Sequence, residues 1–295
     1  MKNYGLLSIS LLASAFGTVA KKYYTDKSGA GIATKCNYTA SSFLVAAACI
    51  AFVGDMTMPS FFTVLLSLAF GVVTALQGVA LLFAMRIGPV AYTMMFASFS
   101  TVITALSGTL FFDERLTPLK VFGIALMLLS FVFATENGAK KKKTNLSWLL
   151  LCITVFLSTG GIGLMQKIHQ TSDYKAELDV FLVLAFITTA IVCVFVAAIS
   201  WSPKAREGDF AKMNKKTLLF LLAVTVGGGV CVAINNKLNL FLSGVMDTSV
   251  FFPIANGGAV VLSTLAAFLL FRERLSRKRW IGLLIGVASV VLLCI

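Results

Sequence analysis

Long apolar runs alternate with short polar links along this chain, and each run is long enough to predict a membrane-spanning helix. Roughly 20 residues of helix cross the hydrocarbon core of a bilayer. The runs lack the period-2 alternation of barrel strands, and lipid requires backbone groups to be satisfied within a helix or a closed barrel. The pattern therefore predicts an all-α integral membrane protein with ten transmembrane helices, at residues 4–21, 37–54, 60–85, 88–112, 117–136, 146–167, 178–201, 217–243, 247–271 and 278–295.

The first run has a second interpretation. Lys2, followed by the apolar stretch "LLSISLLASAFGTVA" and ending at the small residue Ala20, is also typical of a secretory signal peptide. We favour a membrane helix, because the internal repeat described below needs this segment.

Composition agrees with insertion into a membrane. The chain is 58% hydrophobic and 13% charged, with a mean hydropathy of +0.92, which is more apolar surface than one soluble core of 295 residues could bury. The net charge of +13 arises from Lys and Arg in the links, where positive charge meets anionic headgroups and sets topology. We therefore expect membrane lipid and a small-molecule substrate as partners, and no nucleic acid.

The chain contains an internal repeat. Residues 112–116 read "FDERL" and residues 271–275 read "FRERL", so the two pentapeptides differ at one position and are offset by 159 residues. The same offset places Gly123 opposite Gly282 and Gln77 opposite Asn236.

A polar, basic link divides the chain into two halves. We assign residues 1–136 and 146–295 to two five-helix repeats and residues 137–145 to the linker between them. Because five is odd, the second repeat crosses the membrane in the opposite sense to the first. Inverted repeats of this kind place a substrate site between the halves, near the midplane of the bilayer.

The repeated turns "DERL" (113–116) and "RERL" (272–275) carry a family resemblance. Each turn follows a long helix and precedes a helix with an early glycine, in a ten-span chain of this length. The sequence resembles the drug/metabolite transporter superfamily, and within it the EamA-type ten-helix transporters. The resemblance implies a multi-pass secondary carrier of a prokaryotic cell membrane that uses neither ATP nor a cofactor, and that most often exports amino acids, related metabolites or drugs.

The sequence offers no other chemistry. It has no phosphate-cradling GxxxxGK[ST] loop, its single histidine, His169, has no carboxylate nearby in sequence, and its six cysteines are interpreted as apolar fillers. We take His169 as an interfacial residue. All twelve acidic residues fall in links or at helix ends, which disfavours proton coupling through a membrane-embedded carboxylate. We expect no enzymatic activity, no cofactor and no metal.

The densest polar cluster within a span is "NNKLN", residues 235–239. A charge at membrane depth costs around 2.5–3.5 kcal/mol on insertion scales and faces a cavity or a partner. A helix ending near Ile234 would let Lys237 reach the headgroups, but the run continues apolar through "LNLFLSGV". We expect Gln77 and Asn236 to hydrogen-bond the substrate from opposite halves, and Lys237 to attract an anionic group such as a carboxylate.

Further candidates surround this cluster. Asn235 and Asn239 lie to either side, because consecutive helical residues step by about 100°. Asn256 follows a proline, where a broken helix would expose backbone carbonyls to a cavity. Tyr92 and Phe251 match at the offset of 159 residues and are candidate aromatic walls. The predicted substrate-binding set is therefore Gln77, Tyr92, Asn235, Asn236, Lys237, Asn239, Phe251 and Asn256.

Glycine clusters inside the helices and lysines near the helix ends allow two interpretations each. We favour close helix packing over hinges for "GGIG" (160–163) and "GGG" (227–229). Gly282 and Gly286 share one helix face, which serves either the contact between halves or a homodimer. We interpret three lysines near helix ends as interfacial anchors: Lys21, Lys22 and Lys167.

Topology and function each keep alternatives. Most Lys and Arg residues fall in the links of one side, so the positive-inside rule places both termini outside, whereas the resemblance implies both inside. The leading function is a secondary carrier for an amino acid or similar carboxylate-bearing solute, with export favoured over import. The alternative is a multidrug exporter of lipophilic cations, which would want an embedded carboxylate. A non-transporting membrane protein is the third hypothesis.

Overall fold

The computed structural model describes residues 2–28, 31–88, 90–134, 146–200, 214–271 and 276–293. Within those ranges every regular element is helical, as the hydrophobic pattern predicts. The predicted linker 137–145 and the turn "RERL" lie outside the described residues.

Eleven α-helices are found in the described ranges, and one 3-10 turn, Lys175–Glu177, precedes the helix Leu178–Ile199. Six helical segments are long and apolar enough to cross a membrane, at Asn3–Ser28, Ile32–Val53, Phe61–Ile87, Leu146–Thr171, Lys175–Ile199 and Lys215–Val245, with shorter apolar helices between and after them. The helices are α1 Lys2–Ser28, α2 Ile32–Val53, α3 Phe61–Ile87, α4 Val90–Phe99, α5 Thr101–Phe111, α6 Pro118–Ala134, α7 Leu146–Thr171, α8 Leu178–Ile199, α9 Lys215–Val245, α10 Thr248–Phe271 and α11 Arg277–Leu293.

Local sequence explains where several helices begin and end. The Ser60 hydroxyl accepts a hydrogen bond from the backbone N–H of Thr63, which caps the first turn of α3. Gly54 and Gly88 follow the last residues of α2 and α3, and each donates its N–H to a carbonyl of the preceding turn. The predicted span 88–112 is divided at Ser100 into α4 and α5.

Helices from before the linker pack mainly on helices from after it. We call α1–α6 the N-terminal half and α7–α11 the C-terminal half. The principal pairs are α1 with α9, α2 with α8 and α9, α3 with α7 and α8, and α6 with α11. The core is therefore an interface between the two halves along most of its length.

Two serines join α6 and α11 in a reciprocal way. Ser130 donates a hydrogen bond of 2.7 Å to the carbonyl of Gly282, and Ser289 donates one of 2.7 Å to the carbonyl of Gly123. The serines and the glycines both obey the sequence offset of 159 residues. Residue i of one helix therefore contacts residue j of the other, and the reverse contact is also made, as at a two-fold interface.

The glycine face of α11 packs against other helices of the same chain. A Cβ atom on Gly286 would lie 2.7 Å from the Ser130 hydroxyl and 2.9 Å from Val261. Gly286 therefore serves a close contact within the chain, and the homodimer stays a prediction. The face is already covered by α6 and α10.

The glycine clusters pack helices together, as predicted. A Cβ on Gly160 would lie 2.7 Å from Ile103, and one on Gly229 would lie 2.5 Å from Val45. Helices α7 and α9 run unbroken through their clusters. Small residues at these positions let the helix backbones approach closely.

We predict that Gly229→Ala lowers the free energy of unfolding by about 1–3 kcal/mol, because the added methyl group overpacks the contact between α9 and α2. Gly227→Ala is the matched control, since a Cβ on Gly227 meets nothing within 4 Å. We expect the control to change stability by no more than about 1 kcal/mol, in the stabilising direction, from helix propensity. Thermal unfolding in detergent compares the two, and equal effects would contradict the close approach.

Candidate functional site

Four links meet at one end of the bundle and carry six of the eight acidic side chains in the described residues. We call this region the acidic end: it comprises residues 54–60, 112–117, 172–177 and 246–247, with the helix residues that contact them. Cross-contacts hold the links together, since Asp179 bonds to Asp55, Glu177 to Ser60 and Glu114 to Thr248. The sequence assigned these acidic groups to links or helix ends, but it gave no sign of which groups meet.

Lys237 forms an ion pair with Asp179. The Nζ to Oδ1 distance is 2.7 Å, with the lysine side chain 42% and the aspartate side chain 12% exposed. Helix α9 continues to Val245, so the prediction that the helix runs beyond Lys237 is confirmed. The Lys237 ammonium group therefore has a carboxylate partner within the chain, and its attraction for a substrate carboxylate stays a prediction.

A second ion pair is more deeply buried. Lys167 Nζ lies 2.9 Å from Glu114 Oε1, and each side chain is 8% exposed. The ammonium group also donates to the Met246 carbonyl at 3.1 Å and lies 5.7 Å from the centre of the Phe112 ring. The interpretation of Lys167 as an interfacial anchor is therefore wrong: its side chain reaches a carboxylate inside the bundle.

His169 is buried, not interfacial. It is 0% exposed, its ring packs 4.4 Å from the Phe181 ring, and its Nδ1 lies 3.0 Å from the Gln170 amide nitrogen. It comes two residues after Lys167, in the last turn of α7. The acidic end therefore encloses a histidine and two ion pairs whose carboxylates, Glu114 and Asp179, are largely shielded from water.

Asn235 and Asn239 bind the first helix. The Asn235 amide donates to both the hydroxyl and the carbonyl of Ser10 at 3.0 Å, and the Ser10 hydroxyl donates to the Asn239 oxygen at 2.5 Å. Four residues separate the two asparagines, so both present their side chains to α1. Their hydrogen bonds therefore join α9 to α1, and their place beside a substrate stays a prediction.

Gln77 faces the interior of the bundle. It lies seven residues after Phe70 and seven before Ala84, so all three share one face of α3, and the two neighbours are buried. Gln77 itself is partly exposed, and its amide forms no hydrogen bond within the part of the chain that the structure describes. Its amide is therefore available to a ligand.

Asn236 is also partly exposed. It belongs to α9, whose main neighbours differ from those of α3. Its amide nitrogen donates 2.9 Å to the Val232 carbonyl of its own helix, α9. Helix α9 packs mainly against α1 and α2, whereas α3 packs mainly against α7 and α8. Gln77 and Asn236 therefore do not hydrogen-bond each other; they belong to matched helices of opposite halves.

The remaining predicted residues divide between packing and polar contact. The Asn256 amide donates to the Thr101 hydroxyl at 3.0 Å. Helix α10 is continuous through its proline, so the predicted break beside Asn256 is wrong. Phe251 is 1% exposed and packs in the apolar core, which excludes it as a cavity wall. Tyr92 lies in α4, and its side chain is outside the described residues.

Sequence reasoning missed Glu114, Lys167 and Asp179 as interior groups. Glu114 stands inside the repeated pentapeptide, so the repeat itself was a signal that this position matters. Lys167 had no such signal, because the sequence predicted the helix to end at this residue, whereas α7 continues to Thr171. Nothing in the sequence paired these residues, because their partners lie far away along the chain.

The comparisons with known proteins add two distant relatives. The sequence matches no protein-family model. A protein of Haemophilus influenzae described as uncharacterized is 21% identical over 201 residues, which is 65% of this chain and 62% of that protein. A protein of Listeria monocytogenes named "Putative sugar uptake protein lmo0176" is 26% identical over 193 residues, 64% of this chain and 62% of that protein. The matched region thus spans less than two thirds of either relative.

A solved structure shares the fold over nearly the whole chain. The crystal structure, described only as "Crystal structure of protein", superposes with a TM-score of 0.72 at 15% identity and covers 99% of this chain and 98% of that one. At this identity the likeness concerns the fold alone. The chain is thus an all-helical protein with several helices long and apolar enough to cross a membrane, in an arrangement already known from a crystal.

We predict that Ser10→Ala lowers the free energy of unfolding by about 1 kcal/mol, because it removes the hydroxyl that joins Asn235 and Asn239 to α1. Ser8→Ala is the matched control, since Ser8 is exposed and bonds only to the Tyr4 carbonyl of its own helix. Thermal unfolding in detergent measures both variants. An equal change in the two would show that the asparagine contact contributes nothing.

Proposed function

We propose that this protein is a secondary membrane transporter that moves a small polar metabolite by alternating access between two inverted five-helix repeats. The reciprocal bonds from Ser130 to Gly282 and from Ser289 to Gly123 are the observation that carries the proposal. A pseudo-two-fold axis in the membrane plane relates the halves of such carriers, and the substrate site lies between them. The resemblance of the sequence to EamA-type transporters supports the same assignment.

The packing of the helices supports the repeat independently of the serines. Helix α1 packs on α9 as α7 packs on α3, and α2 packs on α9 as α8 packs on α3. Exchanging the first, second and third helices of the two halves therefore reproduces these contacts. In this assignment α4 and α5 together form the fourth helix of the N-terminal half, which gives ten spans.

The charge pairs favour a neutral solute. Lys237 and Lys167 are both matched by carboxylates, so neither offers an unpaired cation to a substrate carboxylate. A lipophilic cation would want a free carboxylate, and Asp179 and Glu114 are likewise occupied by lysines. The amides of Gln77 and Asn236 suit hydroxyl groups, which both donate and accept hydrogen bonds. We therefore favour a sugar or similar polyol over the amino acid or drug suggested by the sequence.

The relatives bear on substrate and direction. The Listeria relative is named for sugar uptake, which agrees with a hydroxyl-rich solute and favours import. The sequence resemblance favoured export instead. We place the protein in the cell membrane of a prokaryote, and we propose import as the direction to be tested.

Transport by reconstituted proteoliposomes tests the proposal. We expect uptake or efflux of a neutral sugar or polyol in a panel that also contains amino acids, organic acids and cationic drugs. Gln77→Ala and Asn236→Ala should each reduce transport by about tenfold or more, because losing one hydrogen bond to a buried polar substrate costs about 1–3 kcal/mol. Leu76→Ala is the matched control beside Gln77, since Leu76 is 48% exposed on the lipid side of α3.

Three outcomes would contradict the proposal. Transport of no solute in the panel would argue against a carrier of small metabolites. Transport of a carboxylate that collapses in Lys237→Ala would restore Lys237 as a substrate ligand, despite its bond to Asp179. Equal losses in Leu76→Ala and Gln77→Ala would remove Gln77 from the site.

A further inference from the structure

We propose that Glu114 and Lys167 form a latch that holds the two halves together at the acidic end, and that this latch must separate for solute to pass that end. The inference rests on the transport function proposed above. It adds a gate to that function, at two residues outside the proposed substrate contacts.

The pair joins three segments from both halves. Glu114 belongs to the turn after α5, in the N-terminal half, whereas Lys167 lies near the end of α7. One Glu114 oxygen pairs with Lys167, and the other accepts hydrogen bonds from the backbone N–H of Thr248 at 2.7 Å and from its hydroxyl at 2.5 Å. Lys167 in turn donates to the Met246 carbonyl at 3.1 Å. Glu114 therefore binds α7 and the turn before α10 at the same time.

Burial distinguishes this pair from an ordinary surface contact. The side chains of Glu114 and Lys167 are each 8% exposed, whereas those of Lys120 and Asp247, at the same end, are 21% and 54% exposed. A buried ion pair contributes little net stability relative to an apolar pair of the same volume. When the two halves separate, water can hydrate both charged groups of the pair. An open state therefore leaves neither charge buried without a partner.

Two further carboxylates cross between the halves in the reverse direction. Glu177, from the C-terminal half, accepts from the Ser60 backbone N–H and hydroxyl, both at 2.9 Å. Asp179 accepts from the Asp55 backbone N–H at 3.0 Å. Each half thus offers carboxylates to backbone donors of the other, at the one end where all these links meet. The contacts of the acidic end would therefore break together when that end passes from a closed to a water-filled state.

Thiol labelling tests the latch without any transported solute. The probe is Gln77→Cys, on the interior face of α3, in a variant whose six native cysteines are replaced by alanine. A membrane-impermeant maleimide is added to the membrane face of the acidic end. Met58→Cys identifies that face, because Met58 is 94% exposed in the link 54–60.

We expect slow labelling of Gln77→Cys from the acidic end, and a rise of at least about tenfold when Glu114→Gln is added, because the buried pair has lost one charge. The matched control is Asp247→Asn, which breaks the exposed pair with Lys120. We expect it to change the rate by less than about twofold, since exposed pairs contribute little. Fast labelling of Gln77→Cys before any change, or an equal rise in the control, would overturn the proposal.

A double variant covers the case in which Glu114→Gln fails to fold. Glu114→Gln with Lys167→Met leaves no unpaired charge in the interior, so it avoids the penalty of an isolated buried lysine. The double variant also lacks the attraction between Glu114 and Lys167 that joins the halves. We therefore expect the same rise in labelling of Gln77→Cys. A folded double variant with the original labelling rate would overturn the latch.

The labelling result separates the two proposals. Should no solute be transported while Glu114→Gln opens the acidic end to maleimide, the latch stands and the transport function fails. Should a solute be transported while the labelling rate stays fixed, the transport function stands and the latch fails.

Discussion

Hydrocarbon offers no partner to a charged or hydrogen-bonding group, so a polar group inside this bundle needs a partner in the chain or in a water-filled cavity. Lys167 and Lys237 meet this constraint through carboxylates, and the hydroxyls of Ser130 and Ser289 meet it through carbonyls across the contact between the halves. Because these partners lie in helices distant in sequence, satisfying them also fixes which helices pack together. The arrangement of the bundle therefore follows from its few polar groups as much as from its many apolar ones.

The helices could be predicted from the sequence, and their partners could not. Runs of about 20 apolar residues locate membrane helices because the thickness of the hydrocarbon core sets their length. The offset of 159 residues also placed Gly123 opposite Gly282, and these two glycines accept the reciprocal serine bonds. The sequence contains no comparable sign of ion pairs such as Lys167 with Glu114. Their members share neither helix nor periodicity, so only the folded chain brings them together.

The cluster "NNKLN" shows the same division within one helix. Its composition correctly marked a polar region inside a continuous span, but a helix turns by about 100° per residue and sends neighbours to different partners. Asn235 and Asn239 bind Ser10, Asn236 bonds to its own helix, and Lys237 reaches Asp179. Most polar groups of this cluster therefore have partners within the chain, which a count of polar residues could not reveal.

Some contacts in the molecule are matched at the offset of 159 residues, and others have no counterpart. The contact between α6 and α11 is reciprocal, and Gln77 and Asn236 are amides at matched positions. Lys237 has no such match, because the same offset places it opposite Gly78. In the carrier proposed above, two similar halves would exchange their roles, but identical halves would treat both sides of the membrane alike. The pair of Lys237 with Asp179 has no counterpart at the offset of 159 residues, so the two ends of the proposed carrier need not open with equal ease.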